Sequence, residues 1–434
     1  MLEISENQSN PCCDGVSRRN FLQIGGLAMG GLTLPQLLRA EDQAGASAKR
    51  QKSIIMIHLS GGPSHTDMWD IKEDAPREYR GEFSAINTKE KGVRICEHFS
   101  RVAATFDRFT AIRSVVGNVS DHNSFHLMTG RARNRPQPAG GWPAIGSVLS
   151  QLEGQGKNGT PPYFGLDSRA TGAGFLGAAH NPFTPRGKGR GDLSLNGITT
   201  DRLDDRRALL TSFDGFRRDV DSSRMMEGLD TFNKQALGII TSSHVLDALD
   251  LAKEDPKIAA RYDVPKGYRS VKSFLTARRL VEAGARFVGM GWGGWDTHSN
   301  NFSLLKKQLP ALDIGLSALV GDLHDRGLDK DVSVVVWGEF GRTPKVNGNK
   351  GGRDHWTRVM GALMAGGGMR NGQMIGATDR LGGEATSRPV HIQEIIATLY
   401  HNVGIGVGSP LLSDLNGRPQ FLTDSGRGPI KELI

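Results

Sequence analysis

Three apolar runs, residues 53–59, residues 286–290 and Val332–Trp337, each lead directly into loops of glycine, carboxylate and imidazole. Runs this short and this largely apolar suit strands buried on both faces of a parallel sheet, since a helix needs ten or more residues to be stable. The loops that follow are Ser60-Gly61-Gly62-Pro63-Ser64-His65-Thr66-Asp67, Gly293-Gly294-Trp295-Asp296-Thr297-His298 and Gly338-Glu339-Phe340-Gly341-Arg342. Open α/β sheets bind ligands at the carboxyl ends of their strands, where such loops sit. Residues 107–116 and 359–365 read as further strands.

Helical segments alternate with these runs. Residues 270–283 carry a helical pattern ended by Gly284, and residues 390–400 form a closing helix. Between them, residues 302–326 place Leu304, Leu305, Leu309, Leu312, Leu316, Leu319 and Leu323 on a helical period, which predicts a helix packed on the sheet. Asp313 and Asp322 read as surface charges on its flanks. Residues 136–191 are rich in glycine and proline and read as surface excursions shaping a substrate mouth, and residues 201–260 as a helical insertion. His391 and His401 read as structural. Strand, helix and strand in alternation predict an α/β fold.

The chain has 434 residues and a formal charge of +8. An excess of positive charge favours anionic partners. Nucleic acid is not expected, because the basic residues are scattered and aromatics are only 6%, too few for a stacking platform. Near the start, Ser17-Arg18-Arg19-Asn20-Phe21-Leu22-Gln23 precedes a soft, glycine-rich apolar run at 24–38. This resembles a twin-arginine export signal, with Ala44-Gly45-Ala46 as a cleavage site. The expected organisation is therefore a signal and linker at 1–46 and one large domain at 47–434. Export would use the twin-arginine translocon and end in the periplasm or outside the cell, and no downstream run has the roughly 20 apolar residues of a membrane span. Cys12 and Cys13 fall in the removed segment, which leaves Cys96 alone and allows no internal disulfide.

Asp, Glu and neutral His are the ligands of hard and borderline divalent cations, so the strand-end loops propose a metal site. His65 and Asp67 are ligand candidates after the first strand, with a capping role for Asp67 as the plainer reading. Asp296 and His298 follow the second run, Glu339 the third, and His355 lies in Gly352-Arg353-Asp354-His355-Trp356. Glu339 and Arg342, three apart, would equally suit a salt bridge. His122 and His126 are four apart and would share one face of a helix, as a metal pair or as structural residues. Ser120 precedes that segment, where a helix N-terminus would favour an anion.

The motifs Gly61-Gly62-Pro63-Ser64-His65-Thr66-Asp67, Trp295-Asp296-Thr297-His298, Gly338-Glu339-Phe340-Gly341-Arg342-Thr343-Pro344, Gly352-Arg353-Asp354-His355-Trp356 and Gly376-Ala377-Thr378-Asp379, with the twin-arginine start, resemble the domain-of-unknown-function family 1501. That family is related to sulfatases and alkaline phosphatases. The resemblance implies an alkaline-phosphatase-like fold, a mostly parallel central sheet with helices on both faces. It implies Ser120, nine residues before Thr129, as the nucleophile, Asn123 as a phosphate contact and Arg342 as a stabiliser of the equatorial oxygens. Asp296, His298 and His355 resemble one metal's ligand set, and Asp67 and Glu339 with Ser120 the other's, with His65 beside them.

Two departures bear on the chemistry. Glu339-Phe340 stands where the superfamily has Asp-His, so the second metal loses an imidazole, and no Cys-x-Pro-x-Arg motif is present, which removes the formylglycine mechanism. The expected activity is metal-dependent hydrolysis of phosphate or sulfate esters on polysaccharide or other anionic extracellular substrates. Zinc is the first expectation for the ion, with manganese and calcium after it. The other reading is a non-catalytic protein that holds a metal and an anionic glycan on the same fold.

Overall fold

In a computed structural model of the chain, residues 51–156, 159–167, 171–185 and 243–434 are described, and Lys52–Ile434 belongs to one compact unit. The export signal, Cys12, Cys13 and most of the expected helical insertion lie outside the described residues. Of that insertion, the short helices Ser243–Leu249 and Pro256–Ala260 are seen.

The central sheet is built from β1 (Ser53–His58), β2 (Phe109–Val116), β3 (Tyr163–Gly165), β4 (Phe287–Gly291), β5 (Val332–Trp337), β6 (Met360–Gly366), β7 (Gln373–Ile375) and β8 (Val390–His391). Its order is β7-β2-β6-β5-β1-β4-β3, with β8 also on β2. β6 runs antiparallel to both neighbours and every other pairing is parallel, so the sheet is mostly parallel. Ile54 lies opposite Phe287 and Ser333, which puts β1 between β4 and β5 and brings the loops after them to either side of its carboxyl end.

Side chains on these strands alternate between two cores, as the period of a strand requires. Ile55, Ile57, Val334, Val336, Val288 and Met290 pack with α4 (Lys272–Glu282) and α5 (Asn301–Asp325). Ile54, Met56, Val335, Trp337 and Phe287 point the other way, onto α3 (Ile145–Glu153) and α6 (Ile392–Asn402). The sheet is thus covered by helices on both faces. This explains why its strands read as continuous apolar runs and not as alternating ones.

Some details differ from the sequence reading. The segment 390–400 opens with β8 before α6, and His391 is the N-cap residue of α6, its ring accepting from Gln393 N while the Glu394 carboxylate accepts from His391 N at 3.0 Å. Asp313 and Asp322 are not surface charges. α5 is buried on most of its circumference, so residues on the flanks of its leucine stripe are enclosed as well. Asp322 meets Arg278 Nε at 2.8 Å and Arg326 Nε at 2.9 Å. Asp313 accepts from Val102 N at 2.8 Å and Arg101 N at 3.0 Å, capping α1 (Ser100–Ala104) from another helix.

Burial pushes the Asp313 carboxyl up to about 6, against the two backbone hydrogen bonds. A carboxyl raised in the folded state contributes stability below its unfolded pKa and loses it as pH rises through the folded one. Asp313→Asn should therefore remove a decline of about 2–3 kcal/mol in stability between about pH 4 and about pH 7. Thermal unfolding midpoints of the two proteins across that range check it, and parallel curves would refute it. Cys96 is buried, with its thiol pushed up to about 12 by burial, so it is chemically inert at neutral pH.

Candidate metal centre

The loop after β1 turns at Gly61, whose φ of +117° suits glycine alone and whose missing Cβ lets the backbone of Asp296 pack against it. The loop after β4 descends through Trp295, fully buried with Nε1 on the Trp292 carbonyl at 2.7 Å, and so presents Asp296 outward. After β5, Gly341–Arg342 pairs antiparallel with His355–Trp356, which places His355 opposite Arg342. Arg353 N donates to the Thr297 carbonyl at 3.0 Å and Asn347 Nδ2 to that of His298 at 3.1 Å, joining this hairpin to the Asp296 loop.

Asp296, His298 and His355 meet at the surface. His298 Nε2 lies 3.1 Å from His355 Nε2 and 3.1 Å from Asp296 Oδ1, and His355 Nε2 lies 3.4 Å from the same oxygen. Ligands about 2.0–2.1 Å from a tetrahedral zinc ion are separated by roughly 3.3–3.4 Å, so these three atoms form one face of such a polyhedron. Asp354 Oδ1 sits 2.6 Å from His298 Nδ1 and accepts a hydrogen bond from its N–H, which leaves the Nε2 lone pair facing the cluster. Burial and the charge of Arg342 lower the His355 pKa and favour the neutral, ligating ring. Burial opposes the charge on Asp296, but the hydrogen bond and charge of Arg342 outweigh it and hold the carboxyl below its ordinary range. Donor type, spacing and ionisation all fit a divalent cation.

The other expected residues are placed as follows. Ser120 is exposed and its Oγ is 3.4 Å from His355 Nδ1, on the rim of the cluster. Asn123 accepts from Phe125 N at 2.9 Å and donates to Asp121, an Asx turn opening α2 (Phe125–Thr129) with no contact to the cluster among its bonds. Arg342 is wholly buried. Its guanidinium donates to the carbonyls of Gly61, Gly62 and Arg353 and to Asp296, so it holds Asp296 in place.

Asp67 is not with the cluster. Both its oxygens are taken by Arg353, at 2.8 and 3.0 Å, and by Asn301 Nδ2 at 2.9 Å, with Asp67 and Arg353 fully buried. His65 is buried with Nε2 2.8 Å from the Gly382 carbonyl, and burial lowers its pKa. Glu339 is also enclosed. Its Oε1 accepts from Gly61 N at 2.8 Å and meets His122 Nδ1 at 3.1 Å, while Oε2 meets His58 Nε2 at 2.9 Å. Burial alone would raise this carboxyl, but the hydrogen bond and charge of His58, with the backbone donors, bring it down to about 2.

His122 and His126 do not share a helix face, because α2 begins at Phe125. His126 is buried against the Glu339 carbonyl at 2.7 Å. His122 lies in the preceding loop, exposed, with Nε2 3.6 Å from Asp296 Oδ2. One ligating atom from each of His122, Asp296 and His355 lies within 4.8 Å of the others.

No helix among the described residues is long and apolar enough to cross a membrane. No curated protein matches the chain. Among solved structures, the chain is similar to the PsFucS1 sulfatase from Pseudoalteromonas sp., at 12% identity over 88% of this chain and 76% of that one, TM-score 0.36. It is similar to the lipoteichoic acid synthase LtaP from Listeria monocytogenes at 10% identity over 87% and 76%, TM-score 0.36. It is similar to the TAB5 alkaline phosphatase at 11% identity over 82% and 99%, TM-score 0.32. The chain belongs to the family of proteins of unknown function designated DUF1501, whose model matches residues 51–434.

Proposed function

We propose that this protein is a divalent-metal-dependent hydrolase of phosphate or sulfate esters, acting outside the cytoplasm on an anionic small molecule or glycan. The observation that carries the reading is the triangle of Asp296 Oδ1, His298 Nε2 and His355 Nε2, with edges of 3.1, 3.1 and 3.4 Å. Two imidazoles favour zinc, then manganese, with calcium last. A divalent ion supplies Lewis-acid polarisation of an ester oxygen and a lowered pKa for an oxygen nucleophile. The formal charge of +8 supports an anionic substrate, and Arg18-Arg19 supports export by the twin-arginine translocon.

The chain's own residues then divide the work. Asp354 fixes the tautomer of His298, and Arg342 fixes the rotamer and charge of Asp296. His355, with its Nε2 lone pair turned to the cluster, carries its proton on Nδ1 and donates it towards Ser120 Oγ, so it orients the serine and does not deprotonate it. Ser120 is the nucleophile of this reading, poised on the open side.

The test is the purified protein reconstituted with zinc, manganese or calcium and assayed on phosphate monoesters, phosphate diesters and sulfate esters. Metal-dependent turnover of one class is expected. Ser120→Ala should lower kcat by on the order of 10³-fold or more while leaving metal content unchanged. Near-normal turnover in that variant would assign the attack to water, and full metal occupancy with no turnover of any ester would leave a binding protein.

A further inference from the structure

A third imidazole, that of His122, stands beside the triangle of Asp296, His298 and His355. In the fold, the Phe340 ring lies beneath two others, its centroid 4.3 Å from that of His355 and 5.1 Å from that of His122. His122 comes from a different loop, between β2 and α2. Its Nε2 addresses Asp296 Oδ2, whereas His298 and His355 address Oδ1. The two rings His122 and His355 meet edge to face at 4.6 Å.

What lies behind His122 separates it from a stray surface histidine. Glu339 is fully buried, and its Oε1 is 3.1 Å from His122 Nδ1. A carboxylate that accepts from one ring nitrogen fixes the tautomer and turns the other nitrogen outward as a lone pair, as Asp354 does for His298. Glu339 is fixed in turn by Gly61 N and His58. Such support from behind is unnecessary for an exposed ring that does nothing.

Building on the metal reading above, we propose that His122 is a fourth ligand of the same ion, oriented by Glu339, and that the centre is one aspartate with three histidines. Glu339 then acts through His122 and is a positioning residue, not a ligand. The proposal has a chemical consequence. Four protein ligands close a tetrahedral ion, so a position for substrate exists only at coordination number five or six, which manganese adopts readily and zinc reaches by expansion.

The experiment is zinc affinity of the full chain by competition with a chromophoric chelator, on wild type, His122→Ala, Glu339→Gln and the remote control His401→Ala. X-ray absorption on the zinc-loaded wild type and His122→Ala counts the imidazoles. Because His122 is exposed, its removal leaves the fold intact, which an unchanged unfolding midpoint of the apo protein verifies. Expected are a loss of about 10–100-fold in affinity for Glu339→Gln and at least as much for His122→Ala. The control should be unaffected, and the imidazole count should fall from three to two. If wild type binds zinc and His122→Ala binds it equally well, with two imidazoles in both, His122 is no ligand while the metal reading stands. If wild type itself binds neither zinc nor manganese, both readings fall together.

Discussion

Methionine in place of Arg353 is expected to destabilise the protein by about 3–5 kcal/mol, the cost of removing one partner from a buried ion pair. Arg353 binds both oxygens of Asp67 and also donates to the carbonyls of Tyr79, Thr343 and Pro344, with both charged groups sealed from water. Removing the guanidinium leaves a carboxylate without water and three carbonyls short of a donor. At a specific unfolding entropy of about 2.1 cal/mol/K per residue, the melting midpoint of a domain this size should fall by roughly 4–6 °C. Lysine should recover only part of this, since its ammonium cannot reproduce the two parallel bonds. A midpoint within about 1 °C of wild type for Arg353→Met would show that water reaches Asp67.

Removing His298 and His355 together, each to alanine, should reduce bound zinc to less than about a tenth of an equivalent after desalting, and ester hydrolysis to the level of the metal-free protein. These rings supply two corners of the triangle, and both are partly exposed, so the fold has little to lose. Elemental analysis beside the unfolding midpoint separates the two effects. Full zinc occupancy in the double variant would place the ion elsewhere.

The central strands are legible because burial on both faces writes them as apolar runs bounded by glycine, and Val332–Trp337 ends where the sequence puts it. The proximity of Asp296, His298 and His355 is legible for a related reason. They sit in loops that follow β4 and β5, the two strands flanking β1, at the same end of the sheet, so order along the chain approximates proximity in space. Asp67 shows the limit. Nothing near it announces Arg353, its partner from 286 positions away, and a carboxylate bound for a buried arginine looks the same in sequence as one bound for a cation. His122 shows the converse. Its spacing from His126 suggests one helix, but the Asx turn at Asn123 delays α2 to Phe125, so that His126 meets the Glu339 carbonyl and His122 its carboxylate and Asp296.

Arg342 joins Gly61, Gly62, Asp296 and the carbonyl of Arg353, residues drawn from three separate loops, with one planar group. Such a clamp sets the spacing of the donors during folding. The entropy of gathering them is then lost once, when the chain folds, and not again when a cation arrives. A zinc finger spends its affinity on assembling itself; on the proposed metal reading, this site would already be assembled when the ion arrives. On that reading, the cation would meet a rigid cradle whose dimensions are fixed by a residue that never touches it.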